Sequence, residues 1–273
     1  MGSLIRDSAK TIQSYQDLMN ELERILKCWV NRWPNIPQRI YFRGVDKASY
    51  SLDPSLLRKP FLSSDMEGVE DNIRFDFETR GRPFLPLEMK WPWDEMFLMQ
   101  HHGYPTRLLD WTENMSAGLY FACRDINEKT DGAIWALATP FLTYKAFGKY
   151  RSQVHPETPT IEDYGFINGQ RNLSEFNKRP PLPMMPYYVS PRIAAQIGRF
   201  TVHTFQIGSL ENMANEDCII NGEGCFLHQI IVPCEYKNKL RTQARLYGGA
   251  CEETYFPDLD GLARGMKSEY QLK

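Results

Sequence analysis

No charge of one sign dominates this sequence: 32 Lys and Arg stand against 34 Asp and Glu, a net charge of −2 over 273 residues. That balance excludes a generic duplex-DNA binder, which needs a basic field to displace counterions. A local basic groove is compatible with it, because net charge does not report clustering. No apolar run approaches the roughly 20 residues that cross a bilayer. Residues 1–10 lack the apolar stretch of a secretory signal. No membrane partner and a cytoplasmic location are therefore expected. None of the six cysteines, Cys28, Cys123, Cys218, Cys225, Cys234 and Cys251, stands in a C-x-x-C pair. That removes zinc ribbons and thioredoxin-type redox motifs, and reduced thiols in a cytosolic compartment are the simplest expectation. No internal repeat and no linker divides the chain, so residues 1–273 read as one domain.

What is present is a core-forming composition, 42% apolar and 13% aromatic. Apolar residues at three- and four-residue spacing predict a helix over 11–33, ended by Pro34. Together with what precedes the first strand, this makes 1–37 a helical lead-in. Residues 39–45 (RIYFRGV) predict a strand, and Asp53-Pro54 a turn. Helical stretches are expected at 69–77 and 93–101, with a proline-rich loop at 82–92 between them. Residues 106–111 (TRLLDW) predict a short buried strand. Thr112 is the expected N-cap of a helix over 113–127. The apolar run 132–139 predicts a central strand. Composition then shifts to prolines and polar residues, so 141–185 reads as an irregular insertion. Beyond it, strands are expected at 187–189, 199–206 and 225–233, a helical turn at 192–196, and helices at 237–247 and 256–267, the last capped by Asp258. Strands and helices mix without a βαβ rhythm. That predicts α+β, a mixed, mostly antiparallel sheet with flanking helices.

The densest polar segment runs from Gln100 to Thr112 (QHHGYPTRLLDWT). Strand alternation puts Thr106, Leu108 and Asp110 on one face and Arg107, Leu109 and Trp111 on the other. Arg107 and Asp110 are open to two readings, structural ion-pair members or site residues, because a buried charge must find a partner. His101 and His102 are neighbours whose side chains diverge, and no acidic or cysteine ligand stands at metal spacing beside them. No metal is expected. A second segment, Tyr41-Phe42-Arg43-Gly44, sets a fork-shaped guanidinium beside a glycine that permits close backbone approach. Arg192 and Gln196, one helical turn apart, either reach the same site or cap neighbouring strands.

These segments resemble the FRG domain, named for its Phe-Arg-Gly motif. The resemblance rests on Tyr41 to Gly44, Leu52-Asp53-Pro54-Ser55-Leu56-Leu57-Arg58, the Gln100 to Thr112 block with Ala117 to Ala122, Pro191 to Phe200, and Phe256 to Ala263. It is a family of bacteria and their phages. The layout also resembles mono-ADP-ribosyltransferases. There, a first strand grips NAD through an arginine or histidine, a second carries Ser or Thr into a helix, and a third carries a glutamate or glutamine. The second resemblance implies NAD as substrate and a toxin or phage-conflict effector, with a protein or nucleic-acid acceptor. It implies Arg43 and Gly44 on phosphate or ribose, Thr106, Arg107 or Thr112 near the nicotinamide, and Tyr104 stacked on its ring, with Arg192 and Gln196 adjoining. Asp110 would stabilise the cationic sugar and Gln229 hydrogen-bond the ribose, where the class carries a glutamate; Glu252 and Glu253 are the other candidate carboxylates. Two alternatives stand beside this. One is a metal-independent nuclease or nucleotide hydrolase using His101 or His102 with Asp110. The other is a non-catalytic module that binds a nucleotide or a protein.

Overall fold

The structure is a computed structural model, and it describes residues 4–36, 39–58, 65–85, 93–126, 129–151, 154–156, 164, 173–187 and 190–270. In chain order its elements are α1 (Leu4–Asp7), β1 (Lys10–Thr11), α2 (Tyr15–Arg32), β2 (Ile40–Val45), α3 (Met66–Gly81), α4 (Trp93–His101), β3 (Leu108–Thr112), α5 (Met115–Ala122), β4 (Gly132–Ala138) and α6 (Thr139–Phe147). There follow α7 (Leu173–Asn177), β5 (Leu182–Met184), α8 (Pro191–Ala195), β6 (Gly198–Val202), α9 (Ser209–Asn221), β7 (Leu227–Val232), α10 (Lys237–Gly248), α11 (Glu252–Tyr255) and α12 (Leu259–Glu269).

The strands form one sheet in the order β1-β7-β4-β2-β3-β6-β5. β1 runs parallel to β7, and the other pairings are antiparallel. The protein is therefore α+β with a mixed, mostly antiparallel sheet. β4 is buried at every residue, as expected of a strand with covered faces. On one side of it, α2, α5 and α10 pack. α2 buries Leu18, Leu22, Ile25 and Trp29, one apolar stripe at helical spacing. On the other side lie α1, α9 and the segment after β2: Arg6 of α1 sits over the Trp135 ring at 5.3 Å and donates to the Ala48 carbonyl. A second apolar cluster, with Phe97 stacked on Phe200 at 5.4 Å, joins α3 and α4 to β5 and β6. Among the described residues, no helix is long and apolar enough to cross a membrane.

Several expectations are corrected. α5 is capped by Asn114, whose Oδ1 accepts from the Ser116 and Ala117 amides. Thr112 instead accepts from the Asn114 amide and donates to the Gln196 carbonyl. The 141–185 stretch contains most of α6, together with α7 and β5; Leu182 to Met184 is a strand because it finds a partner in β6 that sequence periodicity could not reveal. Of the strand expected at 187–189, Tyr187 is in no strand and the other two positions lie outside the described residues. α9 was not expected at all, since its buried stripe, Leu210, Ala214 and Asp217, includes an acid and a small residue while the strongly apolar Ile219 and Ile220 are exposed, so the sequence shows no apolar period.

Gly44 fixes how closely α5 approaches β2. A Cβ there would stand 1.9 Å from the Gly118 carbonyl oxygen and 2.7 Å from the Ala122 amide nitrogen, both helix backbone. Backbone cannot rotate aside as a side chain can. Gly44→Ala is therefore expected to destabilise the fold by about 3 kcal/mol, the upper end of overpacking costs, in a denaturant titration. A change below about 0.5 kcal/mol would show that α5 is not seated on Gly44.

Candidate active site

β2 and β3 pair at a single position, Phe42 with Thr112. Beyond it, residues 52–58 enter beside β3: the Leu56 amide donates to the Thr106 carbonyl, and the Thr106 amide donates to Ser55 Oγ. Asp53 anchors this segment by accepting from the Gly208 amide, and Arg58 donates to the Asp53 carbonyl. The result is a notch at the sheet centre with Arg43 in it.

Arg43 donates from Nη1 to the Asp110 carbonyl at 2.7 Å, and the same nitrogen stands 3.9 Å from Asp110 Oδ2. Its side chain is 17% exposed, and its Nε–H has no partner. Burial pulls the guanidinium down to about 10, Asp110 holding it up and Arg58 adding to the fall. Arg43 thus stays cationic at neutral pH with an unused donor. The Asp110 carboxylate is 58% exposed. Gln100 Nε2 donates to it at 2.8 Å, while Gln100 Oε1 accepts from Thr106 Oγ1. One glutamine therefore carries orientation from a buried threonine to an exposed carboxylate.

Gln100, His101, Asp110, Arg192, Gln196 and Arg199 border a cavity of about 50 Å³. Arg192 stacks on Phe256 at 4.7 Å. Burial lowers its pKa, and Asp110 counters that. His101 Nδ1 is 3.4 Å from Ser190 Oγ. Burial lowers its pKa too, His102 and Arg192 add to the fall, and Asp258 opposes it, so the ring is neutral at pH 7.

The other expected site residues separate. His102 is exposed, its ring edge-on to His101 at 4.9 Å. Tyr104 is 40% exposed and packs against Phe77. Arg107 is fully buried, with Nε on Glu70 at 2.7 Å and Nη1 on the His203 carbonyl; it is a structural tie, not a ligand contact. Gly44 faces α5 rather than a ligand. Gln196 stays on the cavity border but commits its side-chain amide to the Tyr255 carbonyl. Gln229 is in register with Trp135, and Trp135 with Arg43, so β4 stands between Gln229 and Arg43. Its side chain donates to the Ala48 carbonyl. Glu252 is paired with Arg264, and with Glu253 it lines a separate cavity of about 530 Å³. Thr112 is committed to its turn, as described above. Gln100 and Arg58 were missed as members of the site; each was in a quoted motif, yet only the fold brings them to Arg43 and Asp110. Among the described residues, one group, Asp131, Cys234 and Glu235, gathers metal-ligand atoms within 4.8 Å of one another. It flanks the start of β4, away from the notch.

Residues 38–131 match the family model of the FRG domain. The chain carries an FRG domain. No curated protein and no solved structure matches it. The FRG segment contains β2, Arg43, the 100–112 block and α5. The cavity wall formed by Arg192, Gln196 and Arg199 lies beyond the matched residues, so the cavity beside Asp110 is completed from outside the FRG segment.

Two buried groups near this region make stability depend on pH with opposite signs. His203 Nε2 lies 2.9 Å from Thr201 Oγ1, which accepts from Trp111 Nε1. Burial, then Arg107 and Arg43, push this imidazole from 6.5 to about 3. A base depressed on folding contributes stability above 6.5 that is lost as pH falls toward 3. Glu95, fully buried on α4, is pushed from 4.5 to about 8 by burial, although Arg74 stands at 2.9 Å. An acid raised on folding contributes stability below 4.5 that is lost as pH rises toward 8. Between pH 4.5 and 6.5 the two slopes oppose, each about 1.4 kcal/mol per pH unit at most. Glu95→Gln is expected to expose a stability that rises with pH there, and His203→Gln one that falls. Two variants with the same sign of slope would refute the assignment.

Proposed function

We propose that the notch holds a nucleotide through Arg43 and that the protein uses NAD, as an ADP-ribosyltransferase or NAD glycohydrolase. The observation that carries this reading is Arg43 and Asp110 meeting where β2 and β3 part, cation and carboxylate both reachable from solvent. The part of the Arg43 guanidinium that reaches solvent suits a phosphate oxygen, and Arg192 supplies a second cation at the wall of the adjoining cavity. Cleavage of the nicotinamide–ribose bond develops positive charge on the sugar. The Asp110 carboxylate, oriented by Gln100, is the group placed to stabilise that charge. Gln229, Glu252 and Glu253 take no part, which leaves Asp110 as the carboxylate. The acceptor is water, a protein or a nucleic acid, and a toxin or phage-conflict role belongs to the same proposal.

The small cavity on the Asp110 side of the notch, about 50 Å³ and bordered by Gln100, His101, Asp110 and Arg192 but not by Arg43, supports a second reading. It holds a phosphate-sized group, whereas pockets that engulf whole cofactors run to several hundred Å³. A module that binds a nucleotide without turnover fits that size. Incubation with NAD labelled in the nicotinamide separates the readings: release of label supports the first, and retention without release the second. Neither binding nor release would overturn both.

A further inference from the structure

Away from the notch, the end of α9 and the start of β7 enclose a cavity of about 280 Å³ bordered by Cys218, Cys225 and His228, with Lys10, Arg24 and Glu223 around it. Cys218 is half-buried and Cys225 is buried. Cys225 Sγ lies 4.0 Å from His228 Nε2 and 3.0 Å from the Leu227 carbonyl. The position of this group is fixed by Trp29, whose Nε1–H donates to the Cys225 carbonyl at 2.7 Å and whose ring packs on His228 at 5.7 Å. Both thiols border this one cavity; the neighbouring Cys225 thiol holds Cys218 below the usual thiol range, and the Cys218 thiol together with burial lifts Cys225 above it. The more exposed sulfur is therefore the better nucleophile, and the buried one keeps its proton until a base removes it.

We propose that Cys218 and Cys225 are a peroxide-sensing thiol pair, closing to a reversible disulfide with His228 as the base for the second step. In the first step the Cys218 thiolate attacks one oxygen of a hydroperoxide. The O–O bond breaks, Cys218 becomes a sulfenic acid, and the second oxygen leaves as hydroxide that takes a proton from solvent. In the second step the Cys225 proton passes to His228 Nε2. The Cys225 sulfur attacks Cys218 Sγ, and the hydroxyl group leaves as water after taking up a proton. Two thiols lose two electrons and one peroxide becomes two waters; a dithiol reductant reverses the reaction. Six residues separate the cysteines, among them Gly222, with φ of 52°, and Gly224. A turn with two glycines can adjust to disulfide geometry. Such a pair in a reducing compartment is a transient, regulatory device rather than a structural bond.

The test is oxidation of the full chain with a small excess of hydrogen peroxide, alkylation of remaining thiols, and peptide mapping. The expected result is a Cys218–Cys225 crosslink forming before any change at Cys28, Cys123, Cys234 or Cys251, and disappearing with dithiothreitol. Cys225→Ser is expected to leave Cys218 as a sulfenic acid that dimedone traps. His228→Phe is expected to leave the sulfenic step unchanged and to slow the crosslink about 100-fold near neutral pH, the low end of general-base effects, the difference shrinking as pH rises. The wild-type map decides even if a variant fails to fold. A different cysteine pair, a sulfinic acid at Cys218 without a crosslink, or Cys218 still alkylatable after the other cysteines have reacted would overturn the proposal.

Discussion

Replacing Arg107 with methionine is expected to cost about 3–5 kcal/mol of folding free energy, the range for removing one partner of a buried ion pair. The guanidinium is fully buried and spends its donors on Glu70, the His203 carbonyl and the Tyr164 carbonyl. The rings of Phe176 and Phe205 flank it, each centroid 5.3 Å from its carbon. Methionine fills part of the space but leaves the Glu70 carboxylate, 4% exposed, without the cation at 2.7 Å. It also strips a donor from two buried carbonyls. The double replacement Arg107→Met with Glu70→Leu is expected to recover more than half of the loss, because a buried pair replaced as a whole by apolar groups is often near neutral. Denaturant titrations of the three chains check both statements. A single-variant loss under 1 kcal/mol would mean that Arg107 is not the tie between α3, β3 and the end of β6.

That residue also shows where sequence reading stopped. Arg107 and Asp110 stand three positions apart in one polar block, and composition treats them alike. Their fates diverge because β3 is covered everywhere except at Asp110. Which residue is sealed depends on α3 and β6, elements 37 and 96 residues away in sequence from Arg107 by its bonds to Glu70 and His203. Local patterns placed β2, β4, β7, α2 and α10 well, since each presents its own period or an unbroken apolar run. They failed where structure is made by a distant partner, as for β5, or where a cap competes with its neighbour, as Asn114 does with Thr112. For the site, the sequence brought forward Arg43 and Asp110, and the fold joins them. Gln229 was read from the layout of another enzyme class, and its register puts β4 between it and Arg43.

The pairing of Arg43 with Asp110 gives the functional reading its strongest test, because the two residues should fail in different ways. Arg43→Lys keeps the charge but replaces a planar fork with a point charge. It is expected to weaken NAD binding about 10- to 100-fold, the value of one or two charge-assisted hydrogen bonds. Arg43→Ala is expected to abolish measurable binding. Asp110→Asn keeps the shape and still offers an oxygen to Gln100, so binding should change by less than about threefold, within a surface-site substitution. Nicotinamide release should nonetheless fall about 100- to 1000-fold, as when one preorganised electrostatic group is removed. Calorimetry and a single-turnover assay on the same samples, with melting temperatures to establish folding, separate the effects. If Asp110→Asn lowers binding as much as Arg43→Lys and leaves the residual rate intact, the carboxylate grips rather than catalyses, and the binding-module reading replaces the enzyme. If neither variant changes either quantity, the notch is not the site.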